Sequence, residues 1–109
     1  SSVWGKISKE YRASYSCSKF ALDGMTLALT AEHAADGIIA NSIAPGFIDT
    51  ELTLNILGEK GLQKLTSLVP AKRPGQVDEI ARFVLWLSSE ENTYVAGQNI
   101  SIDGGFSRV

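Results

Sequence analysis

A long helical stretch from about Ala13 to Ala35 constrains the fold of this 109-residue chain more than any other feature. Its apolar side chains, among them Phe20, Met25 and Leu29, lie around most of the helix circumference rather than along one stripe. A helix that is apolar on nearly all sides is buried against more than one neighbour. We therefore expect this helix to contact several elements, and we expect another chain to supply part of its burial.

The helix leads into a short strand. Asp36 and Gly37 end the helix, because glycine readily adopts the positive φ that follows a helix C-terminus. Residues 38–44 are mostly apolar and β-branched, which predicts a buried strand, and Pro45-Gly46 stops it. Residues 97–105 predict a second short strand followed by a glycine turn. Two strands separated by helices predict a parallel pair joined by a right-handed crossover.

The segment between the two strands predicts further helices. Apolar residues at 52–57 and 62–69 predict two short helical pieces separated by Gly58 and Gly61. Helical pieces hinged at glycines suit a mobile cover that excludes water from a site, and the alternative is a plain helix-loop-helix packed on the core. Residues 77–87 predict another helix, with a clear apolar stripe and with Phe83, Trp86 and Leu87 on a second apolar surface.

Tyr15 and Lys19 are the candidate chemical pair. Four residues are about one helical turn, so the phenol and the ammonium project from the same face. A phenol is a poor base at neutral pH, but a cation one turn away stabilises the phenolate. The hydroxyl of Ser2 can hold a reacting oxygen by hydrogen bonding. Proton transfer at a C–O centre is one interpretation, and a solvated helix face is the other.

Four motifs occur together in a familiar order. They are Ser2-Val3-Trp4-Gly5, Tyr15-Ser16-Cys17-Ser18-Lys19, Asn41-Ser42-Ile43-Ala44-Pro45-Gly46-Phe47-Ile48-Asp49-Thr50 and Asp103-Gly104-Gly105. In this order and spacing the chain resembles, over its whole length, the C-terminal half of a classical short-chain dehydrogenase/reductase, as in 3-oxoacyl-carrier-protein reductases. The resemblance implies an α/β fold, the C-terminal part of a Rossmann-like doubly wound parallel sheet with the order long helix, strand, lid helices, helix, strand.

The resemblance also implies an activity, the NAD(P)-dependent interconversion of a ketone and a secondary alcohol. Tyr15 would donate a proton to the carbonyl oxygen in reduction and remove the hydroxyl proton in oxidation. Lys19 would support Tyr15 and hydrogen-bond the nicotinamide ribose, and Ser2 would orient the substrate oxygen. The hydride belongs to the cofactor, so the protein groups position and stabilise.

The same resemblance implies a cofactor-facing segment after the first strand. Pro45, Gly46, Ile48 and Thr50 would line the nicotinamide, with the Ile48 backbone at the carboxamide and the Thr50 hydroxyl supporting it. Glycine at position 46 would let the backbone approach the flat ring closely. Residues 47–75 would form the substrate lid.

The length of the chain limits these expectations. The 109 residues contain no Gly-rich phosphate turn, and the family's N-terminal nucleotide-binding half, with its adenosine site and its Asn, has no counterpart here. In this family the residues that meet the adenosine ribose belong to that N-terminal half, so this sequence indicates no preference between NAD and NADP. We expect the isolated chain to be weakly active or inactive, and to require a homo-oligomer or a missing N-terminal half to cover its bare sheet edge. The alternative is a non-catalytic assembly module derived from the same family.

Composition fits a soluble globular piece. The chain is 44% hydrophobic and 20% charged with a net charge of −2, and it has no basic stripe and no membrane-length apolar run. Its first residues, Ser-Ser-Val-Trp-Gly, have neither the basic region nor the hydrophobic core expected of a signal peptide. We therefore expect a small-molecule substrate in the cytoplasm, with neither nucleic acid nor membrane as a partner. Cys17 and His33 stand alone, which predicts no disulfide and no metal site. We expect Cys17 to fill space in the interior.

Overall fold

The computed structural model describes residues 1–109 as three helices, two strands and three short 3-10 turns. In chain order these are the turn Val3–Gly5, α1 (Ala13–His33), the turn Ala34–Asp36, β1 (Ser42–Pro45), α2 (Glu51–Ser67), α3 (Val77–Leu87), β2 (Asn99–Ile102) and the turn Phe106–Arg108. The predicted order of elements is confirmed: a long helix, a strand, the helical pieces of α2, a helix and a strand. No helix has both the length and the apolar character needed to cross a bilayer.

The two strands form a parallel pair, as predicted. Ser42 lies opposite Asn99 and Pro45 lies opposite Ile102, so the carboxyl ends of both strands meet at one edge. Because the loops that follow parallel strands converge at that edge, it is where ligands bind in open α/β sheets. The strand pair therefore places residues 46–50 and 103–105 side by side.

The start of β1 differs from the prediction. The strand begins at Ser42 and not at Ile38, whose side chain is 57% exposed. Asn41 explains the difference, because its side-chain amide donates to the Val95 carbonyl and its side-chain oxygen accepts from the Gln98 amide. These bonds tie residue 41 to the loop before β2, so regular strand pairing starts one residue later.

Helix α1 exposes apolar side chains on several sides. Phe20, Met25 and Leu27 are each about half exposed, and the buried residues of the helix are Ser16 and Thr26. Helix α1 ends at His33, and the 3-10 turn Ala34–Asp36 that continues it ends as predicted at Gly37, whose φ of 80° lies in the left-handed region. The prediction for Cys17 was wrong, because this thiol is exposed and does not fill interior space.

The chain leaves much of its surface uncovered. Its radius of gyration is 15.1 Å, compared with about 13 Å for a compact domain of this length. Its accessible surface is 7302 Å², compared with roughly 5,900 Å² for a compact monomer of 11.7 kDa. The excess surface agrees with the expectation that apolar faces of this chain require a cover.

Helix α2 is two helical pieces that meet at Gly58. The φ of 64° and ψ of 170° at Gly58 break the helix, which confirms the predicted break at this glycine. Gly61 lies within the second helical piece, so the predicted second break is wrong. A ψ near 170° with positive φ is open almost only to glycine, and the kink therefore depends on this residue.

Candidate active site

Tyr15 and Lys19 lie together on the first turns of α1. The Lys19 Nζ is 5.2 Å from the centroid of the Tyr15 ring, as the spacing of four residues predicted. The Tyr15 side chain is 41% exposed, so a ligand has access to it. The structure therefore presents a phenol with an adjacent ammonium on an accessible face.

The buried turn that carries Ser2 packs against the same part of α1. Ser2 precedes the turn Val3–Gly5, and its Oγ accepts a hydrogen bond of 3.3 Å from the Trp4 amide. The Ser1 hydroxyl donates to the Lys19 carbonyl at 3.2 Å, and a Cβ on Gly5 would lie 2.9 Å from the Lys19 Cβ. The Ser2 segment is therefore held beside the turn of α1 that carries Lys19.

Residues 6–12 connect this turn to α1 and are anchored at two points. The Lys6 ammonium donates to the Asn99 carbonyl at the start of β2. The hydroxyls of Ser8 and Ser16 are 2.7 Å apart, and Ser16 is buried inside α1. These contacts fix the loop over the N-terminal end of α1, next to Tyr15.

Gly46 follows β1 at the carboxyl edge of the sheet. Its amide donates to the Ile102 carbonyl at 3.0 Å, and a Cβ at this position would lie 2.8 Å from the Asp103 Cα. The absence of a side chain is thus required by the turn that follows β2. This packing requires glycine at position 46 independently of the expected close approach of a flat ring.

Asp103 itself is fixed by the turn that follows β2. Its carboxylate accepts hydrogen bonds of 2.9 Å from the amides of Gly105 and Ser107. Burial raises the pKa of Asp103, but the hydrogen bonds from Ser107 and Gly105 and the charge of Lys6 lower it, and the result is a pKa below the ordinary value. The charged Asp103, held by these two hydrogen bonds, therefore packs in a fixed position beside Gly46.

Ile48 pairs with Gly75 in a short parallel bridge. The Asp49 amide donates to the Gly75 carbonyl and the Gly75 amide donates to the Phe47 carbonyl, both at 2.9 Å. These bonds use the residues on either side of Ile48, so its own N–H and C=O take part in no backbone hydrogen bond. The Ile48 backbone is therefore available to a ligand amide, which needs one donor and one acceptor.

Thr50 begins α2 as its N-cap. The Thr50 Oγ1 accepts a bond of 3.1 Å from the Thr53 amide and lies 2.9 Å from the Thr53 hydroxyl. When the Thr53 hydroxyl is the donor of that pair, the Thr50 proton is free to donate elsewhere. The capping role and a ligand-binding role are thus compatible.

Three aromatic rings join the parts of the site. The Trp4 and Phe47 ring centroids are 6.4 Å apart, Trp4 and Phe106 are 5.9 Å apart, and Phe47 and Phe106 are 5.0 Å apart, all in edge-to-face arrangements. Trp4 lies two residues after Ser2, and Phe47 directly precedes Ile48. This cluster therefore brings the Ser2 turn to the end of β1. Sequence reasoning missed the cluster, since its members are far apart along the chain.

A second feature that sequence reasoning missed is the ion pair between Arg73 and Glu79. The guanidinium donates to both carboxylate oxygens, at 2.6 and 2.8 Å, and the Gln76 amide also donates to Glu79. Hydrogen bonding from Arg73 and then from Gln76 lowers the pKa of Glu79 to about 2. The pair holds the turn around Gly75, beside a pocket of about 100 Å³ that Ile48 also lines. The sequence signal that could have indicated this ion pair is the presence of opposite charges at Arg73 and Glu79, on either side of the Pro74-Gly75 turn.

Comparisons with known proteins agree on the kind of protein this is. A family model described as Enoyl-(Acyl carrier protein) reductase matches residues 1–107. The acetoacetyl-CoA reductase of Cupriavidus necator is 37% identical over 105 residues, which are 96% of this chain and 42% of that protein. The 3-oxoacyl-(acyl-carrier-protein) reductase FabG of Buchnera aphidicola is 42% identical over 104 residues, which are 95% of this chain and 42% of that protein.

A comparison with solved structures gives the same family. The structure of ElxO with NADP bound superposes with a TM-score of 0.89 at 32% identity, over 97% of this chain and 44% of that one. This chain therefore spans about two fifths of the length of the proteins that it matches.

Proposed function

Because the chain belongs to the short-chain dehydrogenase/reductase family, we propose that it carries the Ser-Tyr-Lys site of an NAD(P)-dependent oxidoreductase that interconverts a ketone and a secondary alcohol. The observation that carries the proposal is the Lys19 ammonium 5.2 Å from the Tyr15 ring, beside the buried turn of Ser2. A phenol, a cation and a hydroxyl are the groups that proton transfer at a carbonyl oxygen requires.

Each group has a role in the proposed reaction. In reduction, Tyr15 donates its phenolic proton to the carbonyl oxygen as the carbonyl carbon receives a hydride, and in oxidation Tyr15 accepts the hydroxyl proton. The Lys19 charge stabilises the phenolate that remains after proton donation. The Ser2 hydroxyl donates a hydrogen bond to the same substrate oxygen and polarises the C–O bond. A bound nicotinamide cofactor supplies or accepts the hydride.

The residues after β1 fit the nicotinamide end of such a cofactor. The Ile48 N–H and C=O have no backbone partner, and a carboxamide offers the complementary acceptor and donor. The Thr50 hydroxyl can donate beside them when the Thr53 hydroxyl is the donor of the Thr50–Thr53 pair. Pro45 and Gly46 lie at the carboxyl edge of the parallel strands, and Lys19 is the residue assigned to the ribose. This fit supports NAD or NADP as the cofactor.

The proposal extends to the lid and to assembly. Residues 47–75 form the substrate lid, with the kink at Gly58 as its hinge. The exposed apolar side chains of α1 and α3 fit a homo-oligomer, in which a second copy covers them. A single exposed Cys17 fits a reducing compartment, and we place the protein in the cytoplasm.

The alternative function is a non-catalytic assembly module, and the uncovered apolar faces of α1 favour it. Titration of the protein, at its natural length, with NADH and NADPH separates the two functions, with light scattering to give the mass in solution. We expect saturable binding of at least one cofactor. A stable multimer that binds neither cofactor would support the assembly module and contradict the proposed oxidoreductase.

A further inference from the structure

Arg12 lies within 6 Å of the rings of both Trp4 and Tyr15. Its Cζ is 5.8 Å from the Trp4 ring centroid and 5.9 Å from the Tyr15 ring centroid. The Lys9 Nζ is 5.4 Å from the Trp4 ring, and the Lys19 Nζ is 5.2 Å from the Tyr15 ring. Cations and rings thus alternate in the order Lys9, Trp4, Arg12, Tyr15, Lys19, which we name the cation–ring row.

The cations of this row have no carboxylate partner. The ion pairs of the chain lie elsewhere, between Arg73 and Glu79 and around His33. Residues 1–20 contain four cationic side chains and one carboxylate, Glu10, which gives this segment a net charge of +3 in a chain whose net charge is −2. A surface segment that concentrates one sign of charge attracts ligands of the opposite sign.

Arg12 is suited to bind such a ligand. Its side chain is half-buried, so it has lost part of its hydration without gaining an anion in return. The two rings restrict the guanidinium, and an immobilised side chain loses less entropy on binding. The planar guanidinium matches the geometry of a carboxylate, which it binds through two parallel hydrogen bonds.

We propose that Arg12, with Lys9 as a second cation, binds a carboxylate of the substrate, so that the substrate is a short oxo acid or the corresponding hydroxy acid. The inference rests on the proposed function, because it places the substrate carbonyl at Tyr15. The Arg12 Cζ is 5.9 Å from the Tyr15 ring, and a carboxylate binds a guanidinium at about 2.8 Å. A short oxo acid can span a separation of this order, whereas a phosphate at the far end of a long carrier arm lies much farther from its carbonyl.

Steady-state kinetics with matched substrates tests the proposal. The probes are 4-oxopentanoate and its neutral methyl ester, together with acetoacetyl-CoA and the phosphate-free N-acetylcysteamine thioester of acetoacetate. We expect the Arg12→Gln variant to lower kcat/KM for 4-oxopentanoate by roughly 10- to 100-fold. We expect the methyl ester to change by no more than about twofold, since it lacks the charge that Arg12 binds. Arg82→Gln, which removes the same charge from an exposed position on α3, should leave both values unchanged.

Three results would overturn the inference. Equal losses for acid and ester would show that Arg12 acts on Tyr15 or on the fold. No loss for either substrate would show that Arg12 does not contact the substrate. A loss confined to acetoacetyl-CoA would assign the positive charge to a distant phosphate and exclude the short oxo acid.

Calorimetric titration separates this inference from the proposed function. Tighter binding of 4-oxopentanoate than of its ester, lost in Arg12→Gln, supports the carboxylate site even when no substrate is turned over. Turnover of both substrates with no Arg12-dependent difference supports the oxidoreductase and contradicts the carboxylate site. Each result therefore decides one of the two claims.

Discussion

Arg73 and Glu79 form a bidentate ion pair across the turn that precedes α3, with N–O distances of 2.6 and 2.8 Å. Within that turn, Gly75 bridges to Ile48. The ion pair therefore stabilises the segment that carries the proposed nicotinamide contacts, although neither of its residues is near Tyr15 in the sequence. A contact of this kind is expected to affect stability first and cofactor binding second.

The Glu79→Gln variant should lose the ion pair and should therefore differ from wild type in stability by an amount that depends on pH. The pKa of Glu79 is lowered from 4.5 to about 2 in the folded protein, so the charged carboxylate stabilises the fold above pH 4.5 and this stabilisation is lost as the pH falls to about 2. We expect a lower urea midpoint for Glu79→Gln than for wild type at pH 7, and a difference that closes between pH 4.5 and 2. Asp78→Asn is the control, since Asp78 has no ion pair. A difference that does not vary with pH would contradict this account.

Gly46 should not tolerate a side chain. An added Cβ lies 2.8 Å from the Asp103 Cα, and backbone at this distance cannot rotate away. We expect Gly46→Ala to reduce the free energy of unfolding by about 1–3 kcal/mol. Gly24→Ala in α1 is the control: no atom lies within 4 Å, and the helix should gain about 0.5–1 kcal/mol. Equal stability of Gly46→Ala and wild type in urea unfolding would show that the two strand ends are less closely packed.

The kink in α2 should require glycine at position 58. Its backbone conformation costs other residues about 1–3 kcal/mol, so Gly58→Ala should straighten the helix or destabilise it. Gly61→Ala, three residues further on in helical conformation, should have a much smaller effect. If residues 47–75 act as a lid, Gly58→Ala also changes KM for the substrate, whereas Gly61→Ala does not. Matching KM values for wild type and both variants would argue against a hinge at Gly58.

Thr50 should have a structural and a ligand-binding effect. The Thr50→Val variant removes the acceptor of the Thr53 amide, and loss of such a cap costs about 1 kcal/mol. It also removes the hydroxyl assigned to the nicotinamide, so cofactor affinity should fall beyond what the stability change explains. Thr50→Ser retains the hydroxyl and should preserve both properties. Cofactor affinity that is the same in Thr50→Val and Thr50→Ser would remove Thr50 from the proposed binding site.

Local signals made much of the fold predictable. The apolar pattern indicated α1, Gly37 indicated the end of the turn that follows it, and the acidic first turn with its apolar stripe indicated α3. The start of β1 was missed because Asn41 bonds to residues 95 and 98, which are more than 50 positions away. The exposure of Cys17 was missed because helical spacing does not say which face a neighbour covers.

The candidate site also combines features that local spacing predicts with features that only long-range packing determines. The proximity of Tyr15 and Lys19 follows from helical geometry alone, so four residues of spacing were sufficient. The packing of Trp4 against Phe47 joins residues 43 positions apart, and no local pattern indicates it. The proximity of Arg12 to the Trp4 ring depends on the path of a loop, which residue spacing does not determine.

The most direct test of the proposed function is ketone reduction by the Tyr15→Phe variant of the protein at its natural length, with cofactor binding measured in parallel. The variant removes one oxygen from an accessible ring, so we expect wild-type folding and cofactor affinity with a loss of about 10²- to 10⁴-fold in kcat. Tyr94→Phe, in which an equally simple change is made at a 95% exposed tyrosine, should retain full activity. Turnover by Tyr15→Phe within a few-fold of wild type would show that the phenol of Tyr15 does not transfer the proton.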